Sequence, residues 1–192
     1  MTEYKVVVVG NSGVGRSALI FHLLNFDFEG QYEPTEDPTA VLLKRVEIDQ
    51  ENCLLDIFDA HGKGEWEEAE FRIYRERFIR GGHGFLFVFS ITCDNSFHDT
   101  RIIREQLLQV RGGEPMPMVL VGNKCDLEHE RQVPTSEGAD MAESFGCKYI
   151  EASAKECMNV EACFFELVRE IRKAREEKAK GAKHSKQQCF LC

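Results

Sequence analysis

Three short, largely apolar runs, residues 4–9, 85–91 and 118–121, are the strongest pattern along the chain. Runs of this length that are rich in Val and Phe are typical of parallel strands covered by helices on both faces. Residues 41–49 and 53–59 are also strand-like, and the three polar residues between them predict a hairpin. Together these segments predict a sheet with a buried centre.

Segments with helical spacing alternate with these strands. Their apolar residues recur every three or four positions, and a Gly-Gly pair at 112–113 marks the end of one segment. Alternation of this kind predicts an α/β fold, a three-layer sandwich with a mostly parallel six-stranded sheet and one antiparallel edge hairpin. The predicted helices are residues 17–24, 66–79, 97–110, 135–145 and 160–180, with a sixth, short strand at 149–151.

The composition narrows the class of protein. A chain of 192 residues with 43% hydrophobic and 30% charged residues is typical of one soluble globular domain. The formal net charge of −9 argues against non-specific binding to nucleic acid, which requires basic surfaces. No apolar run approaches the ~20 residues of a membrane-spanning helix, and the N-terminus lacks the features of a signal peptide. We therefore expect a cytosolic chain with reduced cysteines.

The segment GNSGVGRS, residues 10–17, nearly matches the phosphate-binding pattern G-x-x-x-x-G-K-[ST]. It lies between a predicted strand and a predicted helix, which is the context that the pattern requires. The N–H groups of Gly13, Val14 and Gly15 can surround phosphate oxygens, and the helix start at residues 16–18 adds a favourable dipole. The hydroxyl of Ser17 is placed to bind Mg²⁺. A glycine turn without a ligand is the alternative interpretation.

Arg16 stands where this pattern has a lysine. Lysine is a compact point charge, whereas arginine is a wider, planar fork. Because most of the cradle is backbone, we expect phosphate binding that is weakened or differently posed but not abolished.

Three further motifs follow predicted strands, at the sheet edge where folds of this kind bind ligands. Residues 59–62 match D-x-x-G, residues 123–126 match N-K-x-D, and residues 153–155 read Ser-Ala-Lys. Each motif is weak alone, but their joint occurrence in this order is not expected by chance. With the glycine-rich segment, they make the chain resemble the Ras-like small GTPases over essentially its whole length, and the Ras and Rap branch most closely.

The segments MTEYKVVVVG, VLVGNKCDL and LVREIRK and a C-terminal C-a-a-X sequence carry the same likeness. The resemblance implies a P-loop NTPase fold, with a guanine-nucleotide-binding domain over residues 1–171 and a basic tail over residues 172–192. It implies a monomeric molecular switch that binds GTP or GDP with Mg²⁺ and hydrolyses GTP to GDP and phosphate. Effector proteins, an exchange factor and a GTPase-activating protein are the implied partners.

The resemblance assigns the guanine base to the N-K-x-D and Ser-Ala-Lys segments. Asp126 would accept hydrogen bonds from the ring N–H and the amino group of guanine, a donor pair that adenine lacks. Asn123 would brace the loops, and the backbone N–H of Ala154 would donate to the guanine oxygen. The other implied base contacts are Lys124 along the base, Lys155 packed on it, Ser153 beside it and Phe28 edge-on to it.

The resemblance also assigns the metal and the phosphates. Ser17 and Thr35 would hold Mg²⁺, Asp59 would hold a water on that ion, and the N–H of Gly62 would sense the γ-phosphate. Thr39 is a rival to Thr35 because a second acidic-Pro-Thr sequence follows the first. The implied phosphate contacts are Gly13, Val14, Gly15, Arg16, Ser17 and Ala18. The implied effector region is Tyr32, Glu33, Pro34, Thr35, Glu36, Asp37, Pro38, Thr39 and Ala40.

The chain departs from the family's pattern around the γ-phosphate. Lys63 stands where the family has a glutamine that orients the attacking water, and an ammonium group has no acceptor with which to aim a water. His61 could take over through a neutral imidazole, although a solvent-exposed loop histidine is the simpler interpretation. Ser12 replaces a glycine of many members and would crowd an arginine supplied by a partner. The candidate catalytic residues are therefore Arg16, Thr35, Gly62, Lys63 and His61.

Three hypotheses about turnover stay open at this point. The first is a switch that hydrolyses GTP slowly and therefore favours its GTP-bound state. The second is a pseudo-GTPase, a binding module whose nucleotide is structural or absent. The third is a competent GTPase that uses His61 or a residue from a partner.

The C-terminal residues are basic, in contrast to the acidic body. From residue 172 onward there are seven Lys or Arg and two Glu. The chain ends in Cys-Phe-Leu-Cys, which fits C-a-a-X with Cys189 as the prenyl acceptor. Because one prenyl chain binds weakly, the basic residues would add attraction to anionic lipids. We therefore expect a lipid-anchored protein on the cytoplasmic face of the plasma membrane; a solvated helix end with an incidental cysteine is the alternative. Cys189 and Cys192 also form C-x-x-C, but without a second pair we expect no metal site there.

Overall fold

The computed structural model describes residues 1–24, 41–60 and 76–188, with side chains for all of these except residue 41 and residues 182–188. Within these residues, no helix is long and apolar enough to cross a membrane. The strands are β1 (Thr2–Val9), β2 (Val41–Ile48), β3 (Glu51–Ala60), β4 (Gly84–Ser90), β5 (Met118–Asn123) and β6 (Lys148–Ala152). The helices are α1 (Arg16–Leu23), α2 (Asp94–Val110), α3 (Thr135–Phe145) and α4 (Val160–Gln188); residues 76–81 are also helical, and Glu128–Glu130 form a 3₁₀ turn.

The strands form one six-stranded mixed sheet in the order β2-β3-β1-β4-β5-β6. β2 runs antiparallel to β3, and the other neighbouring pairs are parallel. The structure thus confirms the predicted α/β sandwich with its antiparallel edge hairpin. The chain first builds the sheet on the β3 side of β1 and then crosses to the β4 side, which is the kind of reversal where open α/β sheets bind ligands.

Side-chain alternation along β1 supplies a core on each face of the sheet. Val6 and Val8 belong to a buried cluster that includes residues of α1 and α4. Val7 and Val9 belong to a second buried cluster that includes residues of α2 and α3. Because successive side chains of a strand point to opposite faces, one run of valines serves both cores. Each fully buried Val or Leu contributes roughly 1.5–3 kcal/mol, so these cores hold the strand ends in register.

The β2–β3 hairpin corrects one detail of the prediction. Its turn consists of Asp49 and Gln50, with φ angles of 54° and 65°, and Ile48 pairs with Glu51. Two central residues with positive φ give the backbone twist that suits a two-residue hairpin. The connection was predicted at residues 50–52, and that prediction was wrong because Gln50 is not the glycine that usually marks such a turn.

The last helix extends to Gln188, beyond the predicted end at residue 180. Its early turns bury Phe164, Leu167 and Ile171 against the sheet. Residues 175–181 are all exposed. The helix continues unbroken across the predicted boundary between domain and tail, at residues 171 and 172, and Arg172 is still half-buried against the body.

The carboxyl ends of the parallel strands meet at one edge of the sheet. The glycine-rich segment follows β1, the D-x-x-G motif begins at the end of β3, N-K-x-D begins at the end of β5, and Ser-Ala-Lys follows β6. The fold therefore brings these motifs to the same edge, although they are separated by up to about 140 residues along the chain.

Candidate functional site

The glycine-rich segment turns tightly between β1 and α1. Gly10, Gly13 and Gly15 have φ angles of 153°, 77° and 92°, which residues with a Cβ rarely adopt. A Cβ on Gly10 would overlap the backbone carbonyl of Val88, and a Cβ on Gly15 would overlap the side-chain amide of Asn123. These two glycines are therefore required by close neighbours as well as by backbone conformation.

The start of α1 offers unused backbone donors to this segment. Gly15 is the N-cap and no side chain in the described ranges caps the helix. The first backbone bond of the helix runs from the N–H of Leu19 to the carbonyl of Gly15, so the N–H groups of residues 16–18 have no partner within the helix. Such groups and the helix dipole favour an anion. The geometry therefore suits a phosphate group.

Arg16 lies inside the segment and is only 6% exposed. Its Nη1 donates to the carbonyls of Gly10 and Asn11, and its Nε donates to Oδ1 of Asp59 at 2.9 Å. Hydrogen bonds between charged groups are roughly twice as strong as neutral ones. The planar fork of arginine reaches the loop and the carboxylate together, so Arg16 ties the glycine-rich segment to the end of β3.

The hydroxyl of Ser17 and the carboxylate of Asp59 lie in contact at the end of the glycine-rich segment. Oγ of Ser17 donates to Oδ2 of Asp59 at 2.5 Å, and the Asp59 side chain is 12% exposed. Mg²⁺ prefers oxygen ligands and keeps several waters or phosphate oxygens in its shell. These residues therefore fit a Mg²⁺ ion that Ser17 would bind directly and Asp59 through a water. Bound there, the ion would neutralise charge on the phosphates of a nucleotide.

Asn11 adds a contact that no sequence motif indicates. Its Nδ2 donates to Oδ2 of Asp99 at 2.5 Å, linking the glycine-rich segment to α2. The two residues are 88 positions apart. Asn11 occupies a position that the phosphate-binding pattern leaves open, and Asp99 belongs to no motif, so no signal in one sequence connects them. This tether adds to the ordering of the loop by Arg16.

Asn123 joins the glycine-rich segment to the Ser-Ala-Lys segment. Its Nδ2 donates to the carbonyl of Val14 at 2.7 Å, and its Oδ1 accepts from the N–H of Ala154 at 3.2 Å. The side chain is 1% exposed, so water does not replace either bond. This is the geometry of a brace between loops. The N–H of Ala154, expected to face the guanine oxygen, donates to Asn123 in this structure.

Ser153 holds the carboxylate expected to select guanine. Its Oγ donates to Oδ1 of Asp126 at 2.6 Å and accepts from the N–H of Glu156 at 3.0 Å. Ser153 is 0% exposed, so it positions Asp126 and does not itself reach a ligand. Lys124 has a left-handed φ of 67°, and the side chain of Lys155 is 72% exposed. Lys155 therefore lies at the surface of this corner, whereas Lys124 is half-buried.

Cys125 lies between Lys124 and Asp126, and its thiol is in an environment that disfavours the reactive thiolate. Burial, together with the carboxylates of Glu151 and Asp126, raises the pKa of its thiol. Its Sγ lies 3.7 Å from Sδ of Met158. Because the thiolate is the reactive form of cysteine, this residue acts as a structural group beside the N-K-x-D motif.

Several predicted site residues lie outside the described residues. They are Phe28, Thr35, Thr39, His61, Gly62, Lys63 and Cys189, together with the rest of the effector region, residues 32–40. The described residues that the fold gathers at this edge are Gly13, Val14, Gly15, Arg16, Ser17, Ala18, Asp59, Asn123, Lys124, Asp126, Ser153, Ala154 and Lys155.

Known proteins are similar to this chain over nearly its whole length. The profile of the Ras family matches residues 5–173. Ras-like protein 2 of Mucor circinelloides f. lusitanicus is 42% identical over 193 residues, which cover 100% of this chain and 94% of that protein. Ras-like protein rasB of Dictyostelium discoideum is 40% identical over 184 residues, which cover 96% of this chain and 90% of that protein.

Proposed function

The chain belongs to the Ras family of small GTPases, and on that premise we propose that it is a membrane-associated guanine-nucleotide switch that hydrolyses GTP slowly and is biased toward its GTP-bound state. The observation that most directly supports nucleotide binding is the brace by Asn123. Its bonds to Val14 and Ala154 hold the phosphate loop and a base segment at one edge of the sheet.

In this proposal the chain binds and orients the nucleotide without a covalent step. The N–H groups at the start of α1 and the charge of Arg16 hold the phosphates. Ser17, with Thr35 or its rival Thr39, binds Mg²⁺, and Asp126 selects guanine. Phosphoryl transfer in such sites depends on positioning and electrostatic stabilisation, so no protein nucleophile is required.

Slow hydrolysis is proposed because of two residues. Lys63 has no acceptor with which to orient an attacking water. Ser12 is exposed on the phosphate loop, where its side chain would crowd an arginine inserted by a GTPase-activating protein. The γ-phosphate would therefore be bound but seldom released.

The test is chromatographic identification of the nucleotide bound to the full chain purified from cells. A stoichiometric load that is mainly GTP is the expected result. A load that is mainly GDP would contradict the proposed bias and indicate a cycling GTPase. An empty protein that takes up no added GTP or GDP would favour the pseudo-GTPase instead.

Single-turnover hydrolysis of GTP tests the role of Lys63. Lys63→Gln restores an acceptor for the attacking water, so we expect its rate to rise about tenfold, or about 1.4 kcal/mol in the barrier. The control is Lys44→Gln, the same exchange in β2. If His61→Ala abolishes hydrolysis and Lys63→Gln changes nothing, the third hypothesis, in which His61 orients the water, is correct instead.

The pseudo-GTPase has one observation in its favour, the engagement of Arg16 with Asp59. A buried cation paired with a carboxylate is less available to a phosphate than an unpaired one. Nucleotide exchange separates the two functions, because a switch exchanges its nucleotide and a structural nucleotide stays bound.

A further inference from the structure

Arg16 holds the same carboxylate on which the Mg²⁺ site depends. Nε of Arg16 lies 2.9 Å from Oδ1 of Asp59, while Oγ of Ser17 lies 2.5 Å from Oδ2. The side chains of the ion pair are largely buried, with 6% and 12% exposure. Salt screens a buried pair much less than a surface pair. The guanidinium therefore competes with any other cation that approaches Asp59.

The contacts of the guanidinium leave it with unused donors. Of its five N–H groups, those of Nη1 reach the carbonyls of Gly10 and Asn11, and that of Nε reaches Asp59. Nη2 makes no hydrogen bond to any residue in the described part of the chain. Its two donors are therefore the ones left for a ligand of the glycine-rich segment, whose backbone N–H groups already favour an anion.

A lysine at this position would behave differently. Its ammonium is one compact charge, so a contact with phosphate moves the whole charge away from the carboxylate. In arginine, neighbouring N–H groups of one rigid fork can bind a phosphate oxygen and Asp59 at the same time. A single side chain can thus connect the phosphate to the end of β3.

Connecting a nucleotide phosphate to Ser17 and Asp59 is also the task of the Mg²⁺ ion that these residues fit. We propose that Arg16 supplies part of this connection as a fixed cation, so that the protein retains a guanosine phosphate with a weaker requirement for Mg²⁺ than a lysine variant would have. Because the guanidinium charge lies against Asp59, it also repels a divalent ion and weakens Mg²⁺ binding. This inference rests on the proposed nucleotide binding and identifies the residue that sets its dependence on the ion.

The test follows the dissociation of N-methylanthraniloyl-GDP from the full chain in excess Mg²⁺ and in excess EDTA. The readout is the ratio of the rate in EDTA to the rate in Mg²⁺. We expect this ratio to be about tenfold larger for Arg16→Lys than for the wild type, the size of about one charge-assisted hydrogen bond. The matched control is Arg101→Lys, the same exchange at an exposed position of α2, which should keep the wild-type ratio.

A second variant separates the two contributions of Asp59. Asp59→Asn should speed dissociation from the wild-type background even in EDTA, because it removes the carboxylate that Arg16 binds. In the Arg16→Lys background, Asp59→Asn should speed nucleotide dissociation mainly in Mg²⁺, because the carboxylate would then serve only the ion. A fluorescence titration with Mg²⁺ should also give weaker binding of the ion to the wild type than to Arg16→Lys.

The outcomes distinguish this inference from the proposed function. Equal ratios for the wild type and Arg16→Lys overturn the inference and leave nucleotide binding intact. Nucleotide retention by Arg16→Lys alone also overturns it, because the arginine would then block the site. Retention by neither protein in Mg²⁺ removes the proposed function and the inference together. Should Arg16→Lys not fold by circular dichroism, an Asp59→Asn variant with unchanged dissociation in EDTA overturns the inference.

Discussion

At Gly15 the chain passes from the phosphate loop into α1 with a φ of 92°. A Cβ at this position would overlap Nδ2 of Asn123, the atom that donates to the carbonyl of Val14. The glycine and the asparagine therefore depend on each other, although the motifs that contain them are distant in the chain. A glycine is therefore needed at position 15 both for its backbone conformation and to leave room for the amide of Asn123.

Gly15→Ala is expected to weaken nucleotide binding and the fold together. The left-handed backbone costs an alanine about 1–2 kcal/mol, and displacing Asn123 leaves buried polar groups unpaired at about 1–3 kcal/mol. Urea unfolding and nucleotide dissociation measure the two effects. Gly146→Ala is the matched control, because Gly146 has a φ of 69° and open space around its Cβ position. It should show only the backbone cost, and equal losses in both variants would contradict the role of Asn123.

At the scale of elements, a carboxylate joins β6 to the loop before α3. Oε1 and Oε2 of Glu151 accept from Arg131 at 2.8 Å and 2.9 Å. Oε1 also accepts from the hydroxyls of Thr135 and Tyr149, each at 2.9 Å. These bonds fix the position of β6 relative to α3. Since β6 leads directly into the Ser-Ala-Lys segment, the junction also positions the corner that we propose binds the guanine base.

Glu151 makes the stability of this junction depend on pH. Burial alone would raise the pKa of Glu151, but hydrogen bonds from Arg131, Thr135 and Tyr149 lower it below its usual 4.5. The stabilisation from a carboxylate with a lowered pKa is complete above about pH 5 and is lost as pH falls through the folded-state pKa. We therefore expect the wild type to lose more stability between pH 6 and pH 3 than Glu151→Gln does.

Urea unfolding at several pH values measures this difference. Glu105→Gln is the control, because Glu105 is exposed and forms no ion pair with any residue in the described ranges. It should follow the wild-type pH profile. An identical pH dependence of Glu151→Gln and the wild type would show that the junction is not held by the ionised carboxylate.

At the scale of the whole molecule, an acidic body carries a basic C-terminal helix. The net charge is −9, yet residues from 172 onward include seven Lys or Arg and two Glu. Arg172 and Arg175 contact the body of the protein at Asp49, Tyr4 and His83. Lys178 and Lys180 are exposed and can meet another surface. Anionic lipid is the partner that the proposed prenyl group at Cys189 would bring close.

Cys189→Ser is expected to move the protein from membranes to the soluble fraction of cells. The substitution removes the prenyl acceptor, and basic residues alone bind a membrane more weakly than lipid and charge combined. Fractionation measures the distribution. Cys157→Ser is the matched control, because Cys157 is an exposed cysteine outside the tail. Continued membrane association of Cys189→Ser would contradict the proposed anchor.

The pattern of apolar runs and helical segments predicted the α/β class, the sheet type and the position of every described strand. It succeeded because alternation and burial are local consequences of residue order. The ends of elements were less predictable. The turn at Asp49 and Gln50 and the extension of α4 to Gln188 depend on hairpin pairing and on helix continuation through exposed polar residues, which apolar spacing does not record.

The motifs likewise predicted a phosphate loop, because backbone donors require glycines at set spacings, and the resemblance to the Ras family added the expectation that Asp126 selects guanine. Only the tertiary structure decided what the departure at Arg16 does. Its partner Asp59 is 43 positions away, and the tether from Asn11 to Asp99 spans 88. Asn11 and Arg16 follow β1, while their partners lie on β3 and α2. These residues come close in space because of the order of strands in the sheet, which the order of residues along the chain does not reveal.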